Sequence, residues 1–346
     1  MDKMFTVIDL FCGAGGFSRG FKEAGFKIVL GIENLEPVAE TYEKNFPGAE
    51  VIVEDIKRVR SEDVEKLVGK PDVVIGGPPC EPFTKANPKR RENPLDRLYE
   101  DPIGRLVLHF IRMVGDLKPK IFVMENVPSI VEGELKSALK REFAEAGYDK
   151  VYFNFLRAED YRTPSHRLRV FISNIKIKPK KSKDRIVVIE AIGDLPDPRS
   201  IHDIPNHEPV PVSPRRLKKI SKLKWGEALI RYRGAGGEVY TNLVRLHPYK
   251  IAPTVMGSSR FIHPFDNRLL TVREHARLMG FPDDHIFIGG RDLQFNQVGE
   301  AVPVPLAKAI AIEVRKKLEE MENCLLYTSD AADDGESVDL GGRRII

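Results

Sequence analysis

Cys80 closes the segment Gly76-Gly-Pro-Pro-Cys80, which directly follows the apolar run Val73 to Ile75. A free cysteine is most often a small buried hydrophobe. Here the paired prolines stiffen the backbone and present the thiol, which makes Cys80 a candidate nucleophile. Glu125-Asn-Val127 follows a second apolar run, Ile121 to Met124, and offers a carboxyl group at a comparable place. Nearer the N-terminus, Asp9-Leu-Phe-Cys-Gly-Ala-Gly-Gly-Phe-Ser18 puts glycines where backbone must approach a ligand and a helix N-terminus must face it. The glycines do not fit GxGxxG and no P-loop lysine follows, so phosphate binding is not favoured. Glu33 ends a further strand-like run, where an acid can take two ribose hydroxyls. Asp55 follows the next, where a carboxylate can accept from an adenine amino group. A lone acid at such a place is usually a solvated loop end. Taken with the glycine loop, the two describe a site for an adenosine-containing ligand that lacks a pyrophosphate.

These groups can work together only if one edge of a sheet gathers them. Phe5 to Leu10 reads as a strand, the glycine cluster as a tight turn, and Phe17 to Ala24 as a helix. Ile28 to Ile32 and Pro37 to Asn45 repeat the unit; Val51 to Val53, Val73 to Ile75 and Ile121 to Met124 are further buried strands, the last after a helix over Gly104 to Leu117. Strands alternating with helices predict a doubly wound, mostly parallel sheet, whose carboxyl edge is the usual ligand side. Val151 to Leu156 and Arg169 to Ile175 are expected to pair as antiparallel strands at its far edge. From about residue 176 the chain turns lysine-rich, then proline-rich and irregular, which suggests a second, smaller domain. Helical periodicity returns over Leu269 to Gly280 and Val302 to Leu318.

With 346 residues, 42% hydrophobic and 31% charged, the composition is that of a globular protein. No run approaches the roughly 18 apolar residues of a membrane helix and no signal peptide is legible, so a cytoplasmic protein is expected. Cys12, Cys80 and Cys324 are too few and too scattered for a disulfide framework or a metal site. Residues 324 to 346 read as foreign: CLLYTSDAAD and DLGGRRII resemble translations of sequencing-library adapters and have no packing logic. That stretch holds five acids and two bases, so without it the net charge rises from +4 to +7. A basic body suits a polyanionic partner.

The ordered set DLFCGAGGFS, Glu33, Asp55, GGPPCEPF, Met124-Glu-Asn-Val127, Arg167-Leu-Arg169, then Arg268 to Pro282 and Gln297 to Val302, resembles the C5-cytosine-specific DNA methyltransferase family of restriction-modification type. The resemblance implies a class I, Rossmann-like catalytic domain over residues 1–175, completed by a return segment over 266–323. A small irregular target-recognition domain would occupy 176–265, with 324–346 as the foreign tail. It implies that Phe11, Cys12, Gly13, Ala14, Gly15, Gly16, Glu33, Asn34, Asp55, Ile56, Pro79 and Glu300 bind S-adenosylmethionine, without a metal. Glu125, Arg167 and Arg169 would hold a flipped-out cytosine beside the nucleophile Cys80. The implied partners are double-stranded DNA and, functionally, a cognate restriction endonuclease; a nucleoid-associated monomer is expected. Glu81 to Asp101, with Lys85, Lys89, Arg90 and Arg91, would form a lid over the DNA. Arg245 and Pro253-Thr254 resemble the family's anchor between the two parts, whereas His247, His263 and His275 lack ligand spacing and are expected to be structural.

Three positions depart from the family pattern: Glu81 stands for a glutamine after the cysteine, Ser165 for a glutamine before the arginine pair, and Glu300 for an asparagine. An acid at 81 should repel phosphate or alter the lid, and one at 300 puts a cofactor contact in doubt. Pro79-Cys80-Glu81-Pro82-Phe83-Thr84 also resembles the branch that methylates tRNA; a catalytically silent DNA-binding relative and a small-molecule methyltransferase are the other readings. The basic insert between Arg169 and Arg245 argues for DNA.

Overall fold

The computed structural model describes residues 4–235 and 237–333, with 324–333 described by backbone alone. In chain order the elements are β1 (Thr6–Leu10), α1 (Gly16–Glu23), β2 (Lys27–Glu33), α2 (Glu36–Asn45), β3 (Glu50–Val53), α3 (Ser61–Val68), β4 (Val73–Gly76), α4 (Pro94–Tyr99), α5 (Leu106–Leu117), β5 (Ile121–Asn126), α6 (Leu135–Glu145), β6 (Tyr152–Arg157) and β7 (Leu168–Ser173). There follow α7 (Val188–Ile192), α8 (Pro214–Ile220), β8 (Ala228–Arg233), β9 (Val239–Val244), α9 (Val272–Leu278), α10 (Arg291–Glu300) and α11 (Val304–Asp333).

Seven strands form one sheet in the order β3-β2-β1-β4-β5-β7-β6. The five on the β3 side are parallel, because each is reached by a helical crossover. β7 runs antiparallel to both β5 and β6, as expected for the far-edge pair. Both faces are covered, which is why the central strands read as continuous apolar runs. Ile8, Leu10, Phe122 and Met124 pack under α3, α5 and α6, whereas Val7, Val73, Ile121 and Val123 pack against α1, α2 and α11. The α1–α11 contact is close: a Cβ on Gly20 would lie 2.4 Å from the Cβ of Ala307.

Register decides where the chemistry meets. Leu10 pairs with both Ile32 and Gly76, and Gly76 pairs with Met124. The residues that follow these four, namely Phe11, Glu33, Gly77 and Glu125, therefore emerge in one row at the carboxyl edge. Strand order reverses between β1 and β4, the switch point at which such sheets leave a crevice.

Two features differ from the sequence expectation. The helix expected over Val302 to Leu318 continues to Asp333, through the first ten residues of the suspected foreign stretch. Leucines and alanines there support a helix and the first glycine comes only at Gly335. Residues 334–346 lie outside the described residues. Secondly, part of the irregular region packs on the return segment: Val188 and Ile192 of α7 cluster with Leu246, Ala276 and Leu278, while a separate smaller cluster joins Ile220, Leu243, Ile262 and Leu269. Among the described residues no helix is long and apolar enough to cross a membrane.

Candidate active site

The loop after β1 is locally strained. Phe11, Gly13 and Gly15 all adopt positive φ, at 61°, 51° and 80°. For Phe11 that conformation costs on the order of 1–3 kcal/mol and persists only where surroundings over-determine it. It is held by Cys12 N donating to Ile32 O at 3.0 Å and by Gly15 N donating to Cys12 O at 2.9 Å. The glycines are not equivalent. A Cβ on Gly13 would meet nothing within 4 Å, whereas one on Gly15 would strike the Phe46 ring at 2.3 Å and one on Gly16 would lie 2.4 Å from Val302 O. Only Gly13 opens onto free space; Gly15 and Gly16 allow the helix to pack. Cys12 and Ala14 are also buried, Cys12 against Gly31 and Tyr42, Ala14 with its carbonyl accepting from His285 Nε2 at 2.8 Å.

Beneath this loop lies a buried polar chain. Ser18 Oγ donates to Asp9 Oδ2 at 2.6 Å and sits 2.7 Å from Tyr42 Oη. Burial pushes the Asp9 carboxyl up to about 7; the Ser18 hydrogen bond opposes this and the charge of Glu33 adds to it. Glu33 accepts from Gly13 N at 3.1 Å, Asn34 N at 2.9 Å and Leu35 N at 3.1 Å. Burial still raises its pKa despite those three donors.

A cavity of about 210 Å³ opens beside the row. Phe11, Ile32, Glu33, Asn34, Asp55, Ile56 and Pro79 line it, together with Glu54, Lys57, Pro102, Ile103 and Leu106. Six of the twelve residues expected to bind cofactor are therefore in its wall. The other six, Cys12, Gly13, Ala14, Gly15, Gly16 and Glu300, are not. Apolar surfaces from Phe11, Ile56, Pro79 and Leu106 suit a planar ring, and carboxylates suit hydroxyl and amino donors, so the donor set fits an adenosine. Lys57 holds Asp55 in place, with Nζ at 2.9 Å and its backbone N at 3.0 Å. Burial acts upward on Asp55, but these contacts hold it below the usual carboxylate range. Pro102, Ile103 and Leu106 were missed by sequence reasoning; their only signal was apolar character at the start of the helix expected over Gly104 to Leu117.

Pro79 is shared, since the next residue is Cys80. Glu125, Arg167 and Arg169 all come close enough to act on that thiol. Arg169 Nε lies 2.9 Å from Glu125 Oε1, yet the carboxylate oxygen lacks an aligned hydrogen bond and stays buried and unsatisfied. Arg167 is 3% exposed; its Nη1 donates to Val255 O at 2.8 Å and its Nε has no partner. Burial lowers its pKa to about 9. Burial likewise pushes the Cys80 thiol up: Arg169 and Arg167 pull it down without overcoming burial, and Glu125 and Glu81 reinforce the rise. The arginines therefore moderate the thiol rather than leaving it a thiolate at rest. Asn126, given no role from sequence, donates from Nδ2 to Pro78 O at 3.1 Å and holds the Cys80 segment against β5.

Of the departures, Ser165 turns away: it is buried and its hydroxyl donates to Leu278 O at 2.8 Å. Glu81 and Glu300 are exposed. The protein around Glu300 raises its carboxyl, Glu81 and Glu33 add to the rise, and Arg167 opposes it. Arg245 is 4% exposed and binds the carbonyls of Ile220, His263 and Asp266 and the Asn267 side chain, knitting the irregular region together. His275 is buried, sits 2.9 Å from Thr271 O through Nδ1 and stacks on Phe261.

The sequence profile of the C-5 cytosine-specific DNA methylases matches residues 5–316. A Methanocaldococcus jannaschii protein named as a type II methyltransferase is 54% identical over 319 residues, covering 90% of this chain and all of that one. The type II methyltransferase M.DdeI of Desulfomicrobium norvegicum is 35% identical over 371 residues, covering 88% and 87%. Among solved structures, a DNA modification methyltransferase encoded within an E. coli prophage superposes with a TM-score of 0.74 at 26% identity, covering 91% of this chain and 99% of that one. With the doubly wound sheet and the gathered residues in view, the chain belongs to the C-5 cytosine-specific DNA methylase family.

Proposed function

We propose that the protein transfers a methyl group from S-adenosylmethionine to C5 of a flipped-out cytosine in a specific double-stranded DNA sequence, through a covalent bond between Cys80 and C6. The single observation that carries the reading is the convergence of Cys80, Glu125, Arg167 and Arg169 beside a cavity that shares Pro79 with them.

C5 of cytosine is a poor nucleophile, and addition of a thiolate at C6 makes it enamine-like. Cys80 supplies the thiolate, and its raised pKa means that the proton must leave as substrate arrives. Glu125, ion-paired with Arg169 through Oε1, can share a proton with N3 as charge develops. The Arg167 and Arg169 side chains, which both act on Cys80, are the donors for O2. S-adenosylmethionine would supply the methyl group; Glu33 would receive the ribose hydroxyls, Asp55 the adenine amino group, and Phe11, Ile56 and Pro79 would flank the ring, all of them residues that line the cavity. A base then takes the C5 proton, the C5–H electron pair re-forms the C5–C6 double bond, and the C6–Sγ bond breaks to release Cys80 as thiolate. In this reading residues 1–175 and 266–323 form the catalytic unit, 176–265 read the DNA, and 324–346 are not native. We also assign the protein to the cytoplasm, as a nucleoid-associated monomer working alongside a cognate endonuclease.

The test is tritiated methyl transfer by the 1–323 chain and its Cys80→Ala variant, on mixed genomic DNA and bulk tRNA. Label on DNA that vanishes with Cys80→Ala is expected. Label on tRNA alone, or on neither, overturns the reading.

A further inference from the structure

The loop that carries the nucleophile is braced from two sides. Cys80 O accepts from Phe83 N and Thr84 N, both at 2.9 Å, so residues 80–84 form one tight turn. On one side Phe83 is buried, and its carbonyl accepts from Ser129 Oγ at 2.7 Å and Arg90 Nη1 at 3.2 Å. On the other side the next residue, Lys85, gives its carbonyl to Ala235 N at 2.9 Å, across to the turn joining β8 and β9. That turn is closed by Gly234 N donating to Glu238 O at 3.0 Å and Gly237 N donating to Gly234 O at 3.1 Å. Lys85 Nζ also lies 3.9 Å from Glu238 Oε1, but both side chains are about half exposed and such a pair contributes little.

Gly234 makes the approach possible. A Cβ there would lie 2.6 Å from both Lys85 O and the Tyr240 ring. Tyr240 is stacked on Tyr232 with centroids 5.6 Å apart, a contact that opposes its turning aside, and the Lys85 carbonyl is backbone. Any side chain at 234 therefore pushes Lys85 off the hairpin.

We propose that the β8–β9 turn is a positioning element for Cys80, holding its loop through the Ala235 N–H to Lys85 carbonyl bond that Gly234 permits. This rests on the function proposed above, in which β8 and β9 belong to the DNA-reading segment. Arg231, Arg233 and Thr241 are exposed along that hairpin. A shift of the hairpin on a wrong sequence displaces the loop, so discrimination falls on formation of the covalent bond rather than on DNA binding. A misplacement of about 1 Å at a reacting atom can cost on the order of 100-fold in rate.

The probe is duplex DNA made with 5-fluorocytosine, whose C5 fluorine cannot leave as a proton does, so the adduct persists and is counted after denaturation. Gly234→Ala and Gly234→Val should slow single-turnover adduct formation in that order, the valine by at least about ten-fold. Kd for DNA and for S-adenosylmethionine should stay within about two-fold. Hydrogen exchange should show the Ala235 amide protected in the wild type and progressively exposed in the two variants. An unprotected wild-type amide, an unchanged adduct rate in folded Gly234→Val, or a loss of DNA affinity equal to the loss of rate would each overturn the proposal. Absence of adduct from the wild type would instead refute the function reading, while exchange at Ala235 still decides the contact.

Discussion

Asp9→Asn should make the protein's stability much less sensitive to pH between about 4 and 7. Asp9 is 1% exposed, with its carboxyl raised to about 7 by burial, against about 3.9 in the unfolded chain. A carboxyl raised on folding contributes stability that is present below the unfolded pKa and is lost as pH rises through the folded pKa. Integrating between those two values, ionisation of Asp9 costs about 1.5 kcal/mol at pH 5 and about 4 kcal/mol at pH 8. Asparagine mimics the protonated carboxyl in shape, keeps an oxygen for the Ser18 hydroxyl and cannot ionise. The stability of Asp9→Asn relative to wild type should therefore rise by about 2–3 kcal/mol between pH 5 and pH 8. Urea denaturation of both proteins at the two pH values measures it directly. A difference that stays constant within about 0.5 kcal/mol would refute the linkage argument, since burial would then not be keeping Asp9 protonated. Cys12, Tyr42 and Glu33 are also raised by burial at this site, and all three are present in both proteins.

Glu33→Gln should weaken S-adenosylmethionine binding by about 10- to 100-fold in titration calorimetry, since hydrogen bonds to a charged group are worth about 1.5–3 kcal/mol. With the Cys80 thiol raised, adduct formation should increase with pH between about 7 and 9 as the thiolate fraction grows. Arg169→Gln should lower that curve, because Arg169 is the stronger of the two cations acting on the thiol; a pH-independent rate would count against Cys80 as the attacking group. Phe83→Ala should cost about 3–5 kcal/mol in denaturant unfolding, as a fully buried aromatic leaves a cavity under the nucleophile turn.

Much of this architecture was readable along the chain because the chemistry is written in contiguous segments. A parallel strand buried on both faces must be an apolar run, and a ligand-facing turn must follow it. Phe5 to Leu10 with its glycines, Val73 to Ile75 with Cys80, and Ile121 to Met124 with Glu125 therefore each declared both an element and a candidate residue. The helix from Val304 was legible in its core-facing half, where Leu306, Ile310 and Val314 repeat at helical spacing. Its extension to Asp333 was not, because no packing pattern marks that part.

Local sequence determined which residue types stood ready at the ends of which strands, since side-chain chemistry and periodicity are properties of a few neighbouring positions. Only the tertiary structure decided which of them meet. Gly13 faces open space while Gly15 and Gly16 spend their small size on Phe46 and Val302, which lie 31 and 286 residues away in the chain. Pro102, Ile103 and Leu106 join the cavity, Asn126 ties the Cys80 segment to β5, and Ala235 reaches Lys85 across 150 residues. Those contacts depend on strand register and on how separate layers settle against one another, and the net burial that results shifts the titration of Asp9, Cys80 and Arg167. Register and burial are sums over distant parts of the chain, so no window of sequence contains them.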